Sequence, residues 1–300
     1  MKKLFVFIFA LLFASNASAQ ILYKISGNGL TKPSYIMGTY HIANWKFMDK
    51  VKPLKRVMFE VDQFCGELNA EELQKASELM LDYLPDNKTL KDIYTPEEFA
   101  KINLRVEEVL GSNFDNNPAL LQGLGRLKPG IFSYLLQMLK LTSTKDLSIP
   151  LDVALLNRGK FLNKPVIGLE TAEFQLQTLT KYLYSENAKE QLLELVERWD
   201  EVFAVSFAEL NHMEKAYMNQ DMATLHKLLR DTKNTAVLSG MPGFYETLFL
   251  ERDADWARRM PAIMRDKSTF FFVGVGHLAG NPGVLNLLRQ QGFTVEPVLE

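Results

Sequence analysis

The chain has 300 residues, with 34 basic and 36 acidic side chains and 47% hydrophobic residues. The near-balance of charge leaves no basic stripe as a footprint for a nucleic-acid partner, and the hydrophobic content is too high for a disordered chain. Cys65 is the single cysteine, which rules out an intrachain disulfide, so stability has to come from packing.

The first residues carry Lys2 and Lys3, then an apolar run from Leu4 to Phe13, then Ala17-Ser18-Ala19. These are the charged, hydrophobic and small-residue regions of a secretory signal peptide, and they predict cleavage after Ala19. The apolar run is shorter than the ~20 residues a spanning helix needs, so no stable membrane span is expected once it is cleaved. No cysteine follows Ala19 closely, so the leader is not of the lipoprotein kind. Residues 1–19 are thus read as the leader, residues 20–300 as the mature protein, and the location as periplasmic or secreted.

In the mature chain, Tyr23 to Ser26 and Ser34 to Met37 read as two strands joined by Gly27-Asn28-Gly29, residue types that tolerate positive φ. The second strand runs into Gly38-Thr39-Tyr40-His41. Arg56-Val57-Met58-Phe59-Glu60-Val61-Asp62 reads as a third strand, with Cys65 just beyond it as a small buried residue rather than a nucleophile. Ala70 to Tyr83 has helical spacing, and Thr95-Pro96-Glu97-Glu98 combines an N-cap, an N1 proline and early acids at a helix start. Pro118 to Leu141 reads as a pair of core helices broken at Pro129-Gly130.

A helix follows Ile149-Pro150-Leu151-Asp152 and extends to about Lys160. Lys164 to Glu170 is a strand entering a helix. Apolar spacing of three and four makes residues 172–230 an all-helical insertion, with His212 and His226 as surface or packing histidines. The chain closes with a helix around Trp256, the strand Thr269 to Val273, the turn Gly274-Val275-Gly276-His277, the helix Pro282 to Gln291 and the strand Phe293 to Val298. The predicted fold is α/β: one domain with a central, largely parallel (mixed) sheet, flanking helices and the helical insertion.

Ligands of open α/β sheets bind outside the carboxyl ends of the strands, and His41, Glu60, Glu170 and His277 are the candidates there. Two Gly-x-x-His turns each end a strand, and each is followed nineteen residues on by a glutamate in a strand-like run, Glu60 and Glu296, a spacing that suggests an internal repeat. Two imidazoles with one or two carboxylates can hold a divalent metal such as Mn, Co or Zn and leave a position for water, with a spare glutamate as general base. A metal-free alternative uses histidine as acid and base oriented by a glutamate. Arg252 either grips a substrate carboxylate or pairs with Glu251 or Asp255 on its own helix.

Gly38-Thr39-Tyr40-His41, Phe59-Glu60-Val61-Asp62, Gly168-Leu169-Glu170-Thr171, Glu251-Arg252-Asp253 with Trp256, and Gly274-Val275-Gly276-His277-Leu278 occur in this order. Together they resemble the TraB/GumN family over essentially the whole mature chain. Through that family the sequence is similar to the Tiki proteases and, more distantly, to erythromycin-esterase and ChaN-like proteins. The resemblance implies a metal-dependent hydrolase acting on a peptide or small-molecule substrate. His41 and His277 would be catalytic, with Glu60 as the best-matching glutamate and Glu170 second. Where many relatives have Glu-Arg-Asn, this chain has Asp253, which puts the role of Arg252 in doubt. A haem- or metal-binding protein and a signal-peptide-binding protein with an idle site stay open as alternatives. Substrate and oligomeric state are not readable from the sequence.

Overall fold

Phe270, Phe271, Phe272 and Val273 are buried on both faces of a sheet, which is why this stretch reads as an unbroken apolar run. In the computed structural model, which describes residues 20–145, 149–183, 185–230 and 246–299, that run belongs to strand β5 (Thr269–Gly274). The expected leader, residues 1–19, lies outside the described residues. The other strands are β1 (Leu22–Gly27), β2 (Ser34–Thr39), β3 (Gln63–Gly66), β4 (Val166–Gly168) and β6 (Phe293–Pro297). They form one mixed sheet in the order β4-β3-β5-β2-β1-β6. The first four strands in that order are mutually parallel, and β1 and β6 complete one edge in antiparallel register. The sheet with its flanking helices is the α/β architecture expected from the sequence.

The β1–β2 hairpin turns at Gly27, Asn28 and Gly29, all with positive φ (78°, 45° and 80°). Thr95 caps the Pro96–Leu110 helix in a full capping box with Glu98. Phe270 and Phe272 pack into a core on one face of the sheet with Met37 and Phe64; Phe271 and Val273 pack into a second core with Ile36 and Cys65. A third core is purely helical, joining Phe99, Ile102 and Phe132 to Leu192, Trp199 and Phe203. Of the helices between 172 and 230, Ala188–Glu197 and Trp199–Met218 therefore share a core with the earlier helices Pro96–Leu110 and Pro129–Thr142. Among the described residues no helix is long and apolar enough to cross a membrane.

The third expected strand is corrected. Residues 54–60 form a helix, and β3 begins only at Gln63. Leu54, Val57, Met58 and Val61 are buried at spacings of three and four, while Phe59 is 59% exposed, so the helical period describes the run and the alternating one does not. Lys164 closes this helix end, donating from Nζ to the carbonyls of Met58 (2.8 Å), Phe59 (2.7 Å) and Val61. Cys65 is buried on β3, and burial pushes its thiol well above the ordinary range, which fits a packing residue and not a nucleophile.

Candidate functional site

The carboxyl ends of β2, β3 and β5 open on a cavity of about 540 Å³, and the chain leaving each strand delivers a polar residue to it. β2 leads to His41, β3 to Glu67, and β5 to Gly274 and His277. Close approach of these turns depends on missing side chains. A Cβ on Gly38 would lie 2.8 Å from Leu278 Cδ1 and 2.9 Å from Val275 Cγ2. A Cβ on Gly274 would lie 3.2 Å from Glu67 Oε1 and 3.4 Å from both His41 Nε2 and His277 Cδ2. Three of the cluster's side chains thus meet over one glycine.

His41 is held by Asp152, the second residue of the Leu151–Phe161 helix. The stretch around Asn44 pairs with the stretch around Pro150, with Leu151 N–H donating to the Ala43 carbonyl at 2.9 Å, and this sets the start of that helix beside the end of β2. Asp152 Oδ1 accepts from the Thr39 hydroxyl at 2.6 Å, and Oδ2 lies 3.2 Å from His41 Nδ1. The ring sits deep in the molecule yet faces the open cavity, its side chain 68% exposed. Burial works against charge on His41, but the charge and hydrogen bond of Asp152, helped by Glu67, override it and push its pKa up to about 9.

Arg252 occupies the floor. Its five N–H donors meet five acceptors: Nε to Glu170 Oε2 (3.1 Å), Nη2 to Glu170 Oε1 and Glu67 Oε2 (2.6 Å each), and Nη1 to the Leu248 carbonyl (3.3 Å) and His277 Nε2 (3.1 Å). The guanidinium also stacks 4.7 Å over Trp256, and Trp256 Nε1 donates to Glu170 Oε2. Gln175 Nε2 ties Glu170 and Glu67 together. Glu67 Oε1 accepts from the Gly274 N–H at 2.6 Å. Burial alone would raise the pKa of Glu67, but Arg252, then the two histidines and this backbone bond, hold it down at about 2. For Glu170, burial prevails and raises the pKa against the pull of Arg252.

His277 has both ring nitrogens engaged. Because Arg252 donates to Nε2, the ring proton sits on Nδ1 and is donated to Asp253 Oδ1 at 2.6 Å. Burial, reinforced by the neighbouring guanidinium, lowers the His277 pKa to about 3, and burial raises that of Asp253 to about 9.

The residues expected from the sequence are therefore partly gathered and partly not. His41, His277, Glu170 and Arg252 lie in one cluster. Glu60 does not. It ends the helix before β3, exposed, accepting from Tyr35 Oη at 2.9 Å and Arg56 Nη1 at 3.2 Å, at the amino-terminal edge of the sheet. Glu67, on the far side of β3, stands where Glu60 was expected. Glu296 pairs with Lys24 on the antiparallel edge, so the equal spacing from the two histidines reflects no structural repeat. Arg252 pairs with neither Glu251 nor Asp255, and its five donors are all engaged within the floor. Asp253 orients His277 instead of weakening Arg252. Asp152 and Glu67 carried no distinctive motif. The signal available for Glu67 was Gly66-Glu67-Leu68-Asn69, a strand end followed by the Asn69 cap of the next helix.

The expected divalent metal finds no completed donor set in this arrangement. His41 Nε2 and Glu67 Oε1 face the Gly274 cradle, but His277 turns a carbon edge to it and its Nε2 toward Arg252. Glu170 is saturated by donors and fully buried. Among the described residues no group of three His, Cys, Asp or Glu side chains is arranged to hold a metal.

The fold and site define an α/β protein with a histidine and carboxylate cluster at the carboxyl ends of parallel strands. The chain belongs to the TraB/PrgY/gumN family, whose family model matches residues 21–297. It is similar to Metalloprotease TIKI1 of Danio rerio, 23% identical over 301 residues, covering 88% of this chain and 60% of that protein. A shorter stretch of 56 residues is 43% identical to Metalloprotease TIKI2 of Xenopus tropicalis, covering 18% of this chain and 11% of the relative. The chain covers 60% or less of the length of the curated relatives it matches.

Proposed function

We propose that the protein is a hydrolase of amide or ester bonds, acting as a peptidase after export to the periplasm or beyond. The observation that carries this reading is the His41–Asp152 pair, which turns His41 Nε2 to the cavity beside Glu67 Oε1. Asp152 accepts from the Nδ1–H and so keeps Nε2 basic and aimed at the cavity. Nε2 takes a proton from the water that attacks the carbonyl and returns it to the departing amine or alkoxide. The adjacent Glu67 carboxylate stabilises the imidazolium between those steps, and the Arg252 floor holds Glu67 still.

The names of the relatives point to a divalent cation as well, and the chemistry above is drawn from the protein's own side chains. The test is mass-spectrometric product analysis of peptide and ester mixtures, with chelator and with manganese, cobalt or zinc added, for wild type and Asp152→Asn. Cleavage that falls about a hundredfold or more in Asp152→Asn supports the reading. Undiminished cleavage by the variant, or none by the wild type under any metal condition, contradicts it.

A further inference from the structure

The cavity is far larger than the polar corner that holds His41, Glu67 and Asp152. At about 540 Å³ it falls within the ~300–1,000 Å³ of pockets that enclose drug-sized ligands, so it holds a segment of substrate and not a single bond. Most of the rest of its wall is helical. Leu73, Ala76 and Met80 line one face of the turns at the end of the Ala70–Leu79 helix; Leu156, Leu176 and Met213 come from the helices Leu151–Phe161, Ala172–Leu183 and Trp199–Met218. Away from the corner and the Arg252 floor, the described lining carries no charged side chain. Its polar side chains there are Tyr40, Ser77, Tyr134 and Gln175, and the last of these is tied to Glu67 and Glu170.

A charged group placed in such a recess loses its water and meets no counter-ion among the described lining residues, whereas an apolar one gains by leaving water. We infer that the recess is a specificity subsite for uncharged apolar side chains of a peptide, and that Met80 and Met213 are the residues that set this preference. Two thioethers suit this task, since an unbranched flexible side chain follows the shape of aliphatic and aromatic groups alike. The inference takes its substrate class, a peptide, from the hydrolase reading, but the selection itself is a property of binding and is measured without turnover.

The experiment displaces Nile red, an uncharged fluorescent apolar probe, from the full chain with N-acetyl dipeptide amides that differ in one side chain. Leucine, methionine and phenylalanine amides displace the probe at concentrations at least about tenfold below those needed for aspartate or lysine amides. In Met80→Lys, and independently in Met213→Lys, the order shifts so that the aspartate amide gains relative to leucine. This is a gain that mere loss of folding does not produce. A probe that fails to bind the wild type, equal displacement by charged and apolar amides, or an unchanged order in both folded variants overturns the subsite. Apolar selection with no peptide cleavage sinks the hydrolase reading and leaves the subsite standing. Cleavage without apolar selection does the reverse.

Discussion

Asp152 Oδ2 lies 3.2 Å from His41 Nδ1, although 111 residues separate the two in the chain. The pairing sets both the direction of the ring and its charge. His41 titrates near 9 in the fold against its ordinary 6.5, so its contribution to stability is complete below about 6.5 and is lost as pH rises through about 9. A base must be unprotonated, so turnover rises with pH toward the same value. In Asp152→Asn the charge is gone and the His41 midpoint falls toward 6.5. NMR titration of labelled histidine, with His41→Ala supplying the assignment, checks this; equal midpoints in wild type and variant contradict it.

Arg252 is a positioning residue whose loss is felt first in stability. Arg252→Met leaves Glu67 and Glu170 buried without their shared cation, and breaking such a buried pair costs about 3–5 kcal/mol. Arg252→Lys is nearly as damaging, since three ammonium donors cannot reach the five acceptors of the planar fork. Denaturant titration of both variants checks the order, and a lysine variant as stable as wild type contradicts it.

Asp253 is expected to tolerate amidation. Its Oδ1 serves as acceptor for the His277 Nδ1–H, and burial disfavours a charge there. The asparagine carbonyl offers the same acceptor, so Asp253→Asn changes stability by less than about 1 kcal/mol, while Asp253→Ala leaves a buried N–H unpaired at about 1–3 kcal/mol. Comparing the two denaturation midpoints decides the point.

Acid destabilises the cluster in two overlapping stages. The unfolded chain takes a proton on His277 near 6.5 and on Glu67 near 4.5, whereas the folded protein resists until about 3 and about 2. The contribution of these two groups is therefore complete above about 6.5 and is lost as pH drops toward 2, opposite in sign to the contribution of His41, which fades as pH rises toward 9. Glu67→Gln removes its own stage and flattens the lower part of the curve. An acid limb of the same shape in that variant contradicts the assignment.

Much of this fold was legible because its elements carry independent local signals. The Gly27-Asn28-Gly29 turn, the Thr95 capping box and the apolar β5 run each have a physical reason to form alone. The His41 and His277 turns were legible because glycines flank them where backbones meet closely. Glu60 misled because Val57 to Val61 satisfies an alternating pattern by eye while its buried positions follow the helical one. That error displaced β3 by one short strand and put the glutamate at the wrong edge. Asp152 was hidden for a different reason: its partner is brought to it by pairing of 43–45 with 149–151, a long-range contact with no local signature. The saturation of Arg252 was equally unreadable, since it depends on four separate segments converging.

The most direct test of the account is the turnover of one cleaved peptide or ester by His41→Ala, Glu67→Gln and Glu60→Gln beside wild type, with folding verified by thermal melts. His41→Ala and Glu67→Gln are expected to lose about a hundredfold or more, and Glu60→Gln to turn over at the wild-type rate. Wild-type turnover by folded His41→Ala, or a collapse of activity in Glu60→Gln with Glu67→Gln unaffected, would contradict it.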